Sequence, residues 1–225
     1  MMPPKSIRAL ALLAALVTMP AIASAQQPVP DTVVAAPVAA VAATADSARV
    51  AGPSATATAE KRVWSGPLRL RADLSARKLH MYSGDEIVRS FDIAIGTPQY
   101  PTPKGSFRVR KIIWNPAWIP PDSKWARKKT AKAPGEKGNP MKVAKIFFSE
   151  PDYYIHGTGD VESLGSAASH GCLRMAPSEV AELGRYLMEH GGEPRDDSWF
   201  QRIRNFRSQT KTIILGRPIS LEVTG

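Results

Sequence analysis

One cysteine, Cys172, is all the thiol that 225 residues contain, so no disulfide closes within the chain and no thiolate cluster holds a metal. The four histidines do not form a ligand set with it, and neither a metal nor a cofactor is expected. Long apolar runs are missing too. The run from Ala9 to Val17 stops at nine residues, whereas a bilayer-spanning helix needs about 20. Aromatic residues are absent altogether between Gln26 and Glu60. Acidic residues are in deficit, 20 against 30 Lys and Arg, for a net charge of +10.

The two ends of that list organise the chain. Lys5 and Arg8, then the short apolar run, Pro20 and Ala23-Ser24-Ala25 follow the order of a secretory signal peptide with a small-residue cleavage site. Residues 1–25 are therefore read as a cleaved signal, with export to the periplasm or cell wall and no stable membrane insertion afterwards. No cysteine stands at the cleavage site, which argues against a lipid anchor. Residues 26–60, rich in Ala, Pro, Val, Thr and Ser, lack the apolar surface to offset ordering entropy and read as a disordered tether. Such a tether lets a domain reach an insoluble polymer; an inert leader is the alternative.

Residues 61–225 have the size of one domain. Lys5, Arg8 and Arg49 are matched by Asp31, Asp46 and Glu60, so the positive surplus lies in this domain. A basic surface draws anionic polymers over long range. Export makes nucleic acid a poor partner and favours cell-wall polymers or anionic lipid surfaces; a generally basic solvated surface is the bland alternative.

What is present concentrates around the single thiol. His156 precedes Cys172 by sixteen residues, and Ser169-His170-Gly171 abuts it. A thiol becomes a nucleophile near neutral pH when a base takes its proton, and imidazole suits that task. A buried inert thiol would sit poorly beside Ser169 and His170. Gly171 allows a tight turn in which the N–H groups of Gly171 and Cys172 converge on a developing oxyanion.

Alternating apolar residues predict strands at Leu68–Arg71 and Leu79–Tyr82, the latter leading into a turn at Ser83-Gly84-Asp85, then a strand with Phe91, Ile93 and Ile95 on one face. Further strands are expected at Phe107–Ile113, Ile146–Phe148 and Tyr153–Ile155, the last delivering His156 at its end. Pro177 and the spacing of Val180, Leu183, Leu187 and Met188 predict a helix to Glu189, ended by Gly191-Gly192. A second, basic helix is expected over Trp199–Arg207. Strands at Thr212–Leu215 and Ile219–Val223, separated by Gly216-Arg217-Pro218, close a mainly β domain.

The pairing of Ile155-His156-Gly157-Thr158 with Ser169-His170-Gly171-Cys172-Leu173-Arg174-Met175 resembles the L,D-transpeptidase family with the YkuD-type catalytic domain. Gly96 to Phe107, with its Thr-Pro pairs and Gly-Ser-Phe, is similar to that family's upstream segment, and the resemblance runs from about Leu68 to Val223. It implies a β-sandwich-like catalytic domain with one or two covering helices. It further implies that Cys172 attacks the third residue of a peptidoglycan tetrapeptide stem and releases D-alanine, and that an amine from a second stem resolves the thioester.

His156 matches the family's first histidine and is assigned as the base, its ring oriented by the carbonyl of Gly157 or a neighbour; His170 is the alternative base. Gly171 contributes an oxyanion donor. Ser169, Arg174 and Gly157 are expected to bind substrate, Arg174 by gripping a carboxylate or, alternatively, forming a structural ion pair. Trp114, Trp118 and Trp125 share one Pro-rich loop and are expected to pack it down, with a lid or glycan wall as the alternative. The lysines that follow, Lys128, Lys129, Lys132 and Lys137, read as a solvated loop. Three functions stay open: a cross-linking transpeptidase; the same nucleophile serving as carboxypeptidase, D-amino-acid exchanger or wall-protein attachment or release enzyme; and a noncatalytic wall-binding protein.

Overall fold

A computed structural model describes residues 66–225; the expectations for residues 1–25 and 26–60 lie outside the described residues. The described part is mainly β with two helices. Strands β1 (Leu68–Asp73), β2 (Lys78–Ser83) and β3 (Glu86–Asp92) form a meander. β4 (Ile95–Gly96) and β5 (Gly105–Trp114) follow, then β6 (Ala144–Ser149) and β7 (Tyr153–Gly157). β8 (Ala167–Ser169), β9 (Leu173–Met175), α1 (Pro177–His190), α2 (Asp197–Asn205) and β10 (Lys211–Thr224) complete the chain.

Eight strands make one sheet in the order β3-β2-β1-β10-β5-β6-β7-β9, and β4 pairs with β8 in a second sheet. β1–β10 and β7–β9 are parallel. The main sheet curls until its ends nearly meet: Ala94, just after β3, exchanges both backbone hydrogen bonds with Arg174 of β9, at 3.0 and 2.9 Å. That exchange also explains why Phe91, Ile93 and Ile95 do not share one strand. The backbone leaves β2 at Asp92 to reach β9, and Ile95 pairs with Ala167 instead.

The period of two along each strand separates core from site. Ile112, Ile146, Ile155 and Leu173 are partners across β5, β6, β7 and β9, and all four are fully buried. Full burial of such side chains stabilises by about 1.5–3 kcal/mol each. Helix α1 covers this part of the core with Val180, Leu183, Leu187 and Met188. Trp114 lies against Gly184, where an added Cβ would stand 2.9 Å from the indole, and its Nε1–H donates to Met188 Sδ at 3.2 Å.

Asp196 accepts from the Trp199 N–H at 2.7 Å and caps α2, so that helix starts and ends two residues before the expected span. The final strand departs further from expectation. Gly216-Arg217-Pro218 does not separate two strands; β10 runs through it with a register shift between Ile214 and Ile219. A bulge tolerates proline's missing N–H, and this one is tied to the end of α1 by the Arg217 N–H on the Gly191 carbonyl at 2.9 Å.

Candidate active site

The register that buries the isoleucine row turns the alternate residues outward into a cleft of about 1260 Å³. Lys145, His156 and Arg174 are consecutive partners across β6, β7 and β9. Phe147 pairs with Tyr154, and one step before Leu173 the same parallel register sets Cys172 beside Tyr154. Side chains two apart on a strand share a face, so Cys172 and His156 stand on one face of the β7–β9 pair. Both line the cleft.

His156 is buried, and its Nδ1 lies 2.8 Å from the Gly157 carbonyl. A carbonyl only accepts, so Nδ1 carries the proton and Nε2 is left as the basic nitrogen. Gly157 thus orients the ring, the role expected of its carbonyl. It is itself packed, since a Cβ there would come within 3.0 Å of Lys142 and 3.2 Å of Val180. Burial, followed by the charges of Arg174 and Lys145, pushes His156 down to about 4 despite the two carbonyls, of Gly157 and Pro140, that favour its charged form.

Cys172 is partly exposed and its thiol donates to the Asp152 carbonyl at 3.4 Å. Burial pushes the thiol up, opposed first by the Tyr154 N–H and hydroxyl and then by Lys145 and Arg174. Both shifts favour the neutral forms, thiol and imidazole, and among the described residues no hydrogen bond joins them. Tyr154 and Lys145 were missed by sequence reasoning. Lys145 Nζ lies 4.0 Å from the Tyr154 ring, and burial holds the Tyr154 phenol well above its ordinary range, so it stays a donor to sulfur.

The loop before Cys172 is held by its own hydrogen bonds. The Gly171 N–H donates to Ser169 Oγ at 3.1 Å, so it does not face an oxyanion; of the expected donor pair, the Cys172 N–H is left. Ser169 lines the cleft and also has a structural part. Its buried hydroxyl donates to the Cys172 carbonyl at 2.5 Å and braces the turn. Gly171 is required there at φ 105°, with Tyr153 only 2.8 Å from a would-be Cβ.

His170 is exposed, stacked on Trp125 at 3.9 Å and 16°, with Tyr100 at 4.8 Å. Burial, then Arg174 and Lys129, push it below its ordinary range. It is a wall of the cleft, stacked on one aromatic ring and in tilted contact with a second. The three tryptophans of the Pro-rich stretch divide. Trp114 is core, whereas Trp118 and Trp125 line the cleft. The segment between β5 and β6 is ordered by reciprocal Trp118–Lys132 backbone bonds of 2.9 and 2.8 Å and by buried Asn139, whose amide donates to Pro116 and Ala133 carbonyls at 2.9 Å each. Lys128, Lys129 and Lys132 also line the cleft rather than merely facing solvent, while Lys137 does not. Among the described residues no group of three or more His, Cys, Asp or Glu is placed to hold a metal.

The buried imidazole carries a stability cost at low pH. Its folded value of about 4 lies below the ordinary 6.5, so between these values the unfolded chain binds more protons. Its contribution is complete above about pH 6.5 and falls as pH drops through the folded value, by on the order of 3 kcal/mol. Thermal unfolding of wild type should lose stability across this window, and His156→Gln should flatten that slope. Equal slopes in both proteins would place the acid sensitivity elsewhere.

Residues 67–203 match the family model for YkuD, the L,D-transpeptidase catalytic domain. YkuD of Bacillus licheniformis, named for an inferred L,D-transpeptidase activity, is 31% identical over 117 residues, covering 52% of this chain and 58% of that protein. The Bacillus subtilis protein of the same name is 26% identical over 117 residues, with the same coverage of 52% and 58%. This chain thus spans less than two thirds of those relatives. Among solved structures, the catalytic domain of the E. faecium L,D-transpeptidase superposes with a TM-score of 0.44 at 18% identity, over 71% of this chain and 98% of that one.

Proposed function

The chain belongs to the YkuD family of L,D-transpeptidase catalytic domains, and on that premise we propose that it is an exported cysteine acyltransferase acting on peptidoglycan tetrapeptide stems. The observation that carries the reading is the placement of Cys172 and His156 on one face of β7–β9, inside one cleft, with the imidazole fixed by Gly157. The Lys5–Ala25 segment supports export to the periplasm or cell wall.

Cys172 Sγ attacks the carbonyl of the third stem residue as His156 Nε2 takes the thiol proton. A C–S bond forms, and the carbonyl oxygen takes the negative charge. The C–N bond to D-alanine then breaks, and His156 returns the proton to that nitrogen. In the second half, an acceptor amine attacks the thioester, gives up its proton through His156, and the thiol is restored. The burial that favours the neutral thiol and imidazole favours proton transfer in step with attack. Tyr154 donates to the sulfur while it carries charge, and the Cys172 N–H is the nearest backbone donor for the oxyanion. A noncatalytic wall-binding protein would have no use for a thiol, an oriented base and a donor to sulfur assembled in one cleft.

The test incubates the purified protein, starting at Gln26, with disaccharide-tetrapeptide and follows products by mass spectrometry. Dimers joined through third-position residues are expected, with release of D-alanine. Tripeptide without dimer would make water the acceptor, exchanged tetrapeptide would make it a D-amino acid, and product only with a wall-attached protein present would make that protein the acceptor. No acyl transfer under any of these conditions would refute the enzyme reading.

A further inference from the structure

Lys145 and Arg174 flank His156 in one row across β6, β7 and β9. With strands about 4.8 Å apart, the two cations start roughly 10 Å from each other, astride the imidazole. Both are half-buried and both line the cleft. Lys142 closes a third side: it is held at φ 53°, and its Nζ would stand 2.9 Å from a Cβ on Gly159.

None of these three cations joins an ion pair among the described residues, although seven other pairs form. The carboxylates that line the same cleft, Asp122, Asp152 and Asp160, are exposed and pair with none of them. Lys145 is instead pressed on aromatic faces, 4.0 Å from Tyr154 and 5.1 Å from Phe147, and burial pushes its ammonium below the ordinary range. Half-buried charge without a counter-ion is costly, and the cost is relieved when an anion arrives.

We propose that Lys145, Arg174 and Lys142 form a carboxylate subsite that selects acidic stem peptides with free side carboxylates over the same peptides with those carboxylates amidated. The inference rests on the stem-peptide reading above and extends it to the charge state of the substrate. Guanidinium and ammonium groups on either side of the base hold two carboxylates, or one bridged between them, while Sγ faces the reacting carbonyl.

The test is calorimetric titration of Cys172→Ala protein, which stops turnover, with free-acid and amidated tetrapeptides. The free acid should bind about tenfold more tightly. Lys145→Met and Arg174→Gln, each in that background, should cut the ratio to about twofold or threefold. Equal affinities for the two peptides, or a ratio that neither substitution moves, would overturn the subsite. Turnover by the wild-type protein is read separately. Cross-linked product with equal binding removes the subsite and leaves the catalytic reading standing. Charge-selective binding without product does the reverse.

Discussion

Cys172→Ala is expected to abolish acyl transfer, lowering turnover by at least about 10³-fold, because Cys172 is the chain's one thiol and the hydroxyls that share its cleft have no oriented base beside them to make them nucleophilic. The fold should survive. Cys172 is partly exposed, and the substitution removes only weak sulfur contacts, the thiol bond to Asp152 at 3.4 Å and those from Tyr154, while the turn is held by Ser169 through Gly171 and the Cys172 carbonyl. A loss below about 1 kcal/mol is expected. A mass experiment separates chemistry from folding. A carbapenem should add covalently to wild type and leave the Cys172→Ala mass unchanged, with both proteins melting alike. Turnover that survives the substitution would remove Cys172 as nucleophile. An adduct on the variant would put the reactive group elsewhere.

Much of the geometry behind that expectation is legible in the sequence because it is local. The short apolar strands at Ile146–Phe148 and Tyr153–Ile155 are legible, and the second delivers His156 at its end as expected, whereas the strand that carries Leu173 and Arg174 was not anticipated. Pro177 and the Val180–Met188 spacing locate α1 to within a residue of its observed end. What escapes is pairing. That Lys145 stands beside His156, and Tyr154 beside Cys172, depends on the register of β6 with β7 and of β7 with β9, for which no short-range signal exists. The motif also hides its own hydrogen bonds. Gly171 looks like an oxyanion donor until its N–H is found on Ser169 Oγ. Likewise Trp114 reads as one loop aromatic among three, but β5 extends just far enough to carry it under α1. In β10, Gly216-Arg217-Pro218 reads as a break because the bulge that absorbs the proline is stabilised by a contact with the distant Gly191 carbonyl.

The two histidines of the motif should separate by about two orders of magnitude. His156→Ala is expected to lower kcat by about 10²–10⁴-fold, the range for loss of a positioned general base. His170→Ala should cost roughly tenfold or less, mainly through KM, since it removes a ring stacked on Trp125 and in tilted contact with Tyr100 rather than a proton acceptor. The pH profile carries independent information. The base must be neutral to work, and burial with Arg174 and Lys145 nearby holds His156 at about 4. The acid limb of kcat/KM, which reports the free enzyme, should therefore fall near that value and not near the ordinary imidazole value. The limb should vanish in His156→Ala and persist in His170→Ala. Added imidazole should restore part of the activity to His156→Ala, because the cavity left behind still opens towards Sγ, and should do nothing for His170→Ala, whose ring lies on the outer wall. The opposite ordering of the two variants would transfer the base role to His170, and the neutral, carbonyl-oriented His156 would then be a strand-end residue held for packing.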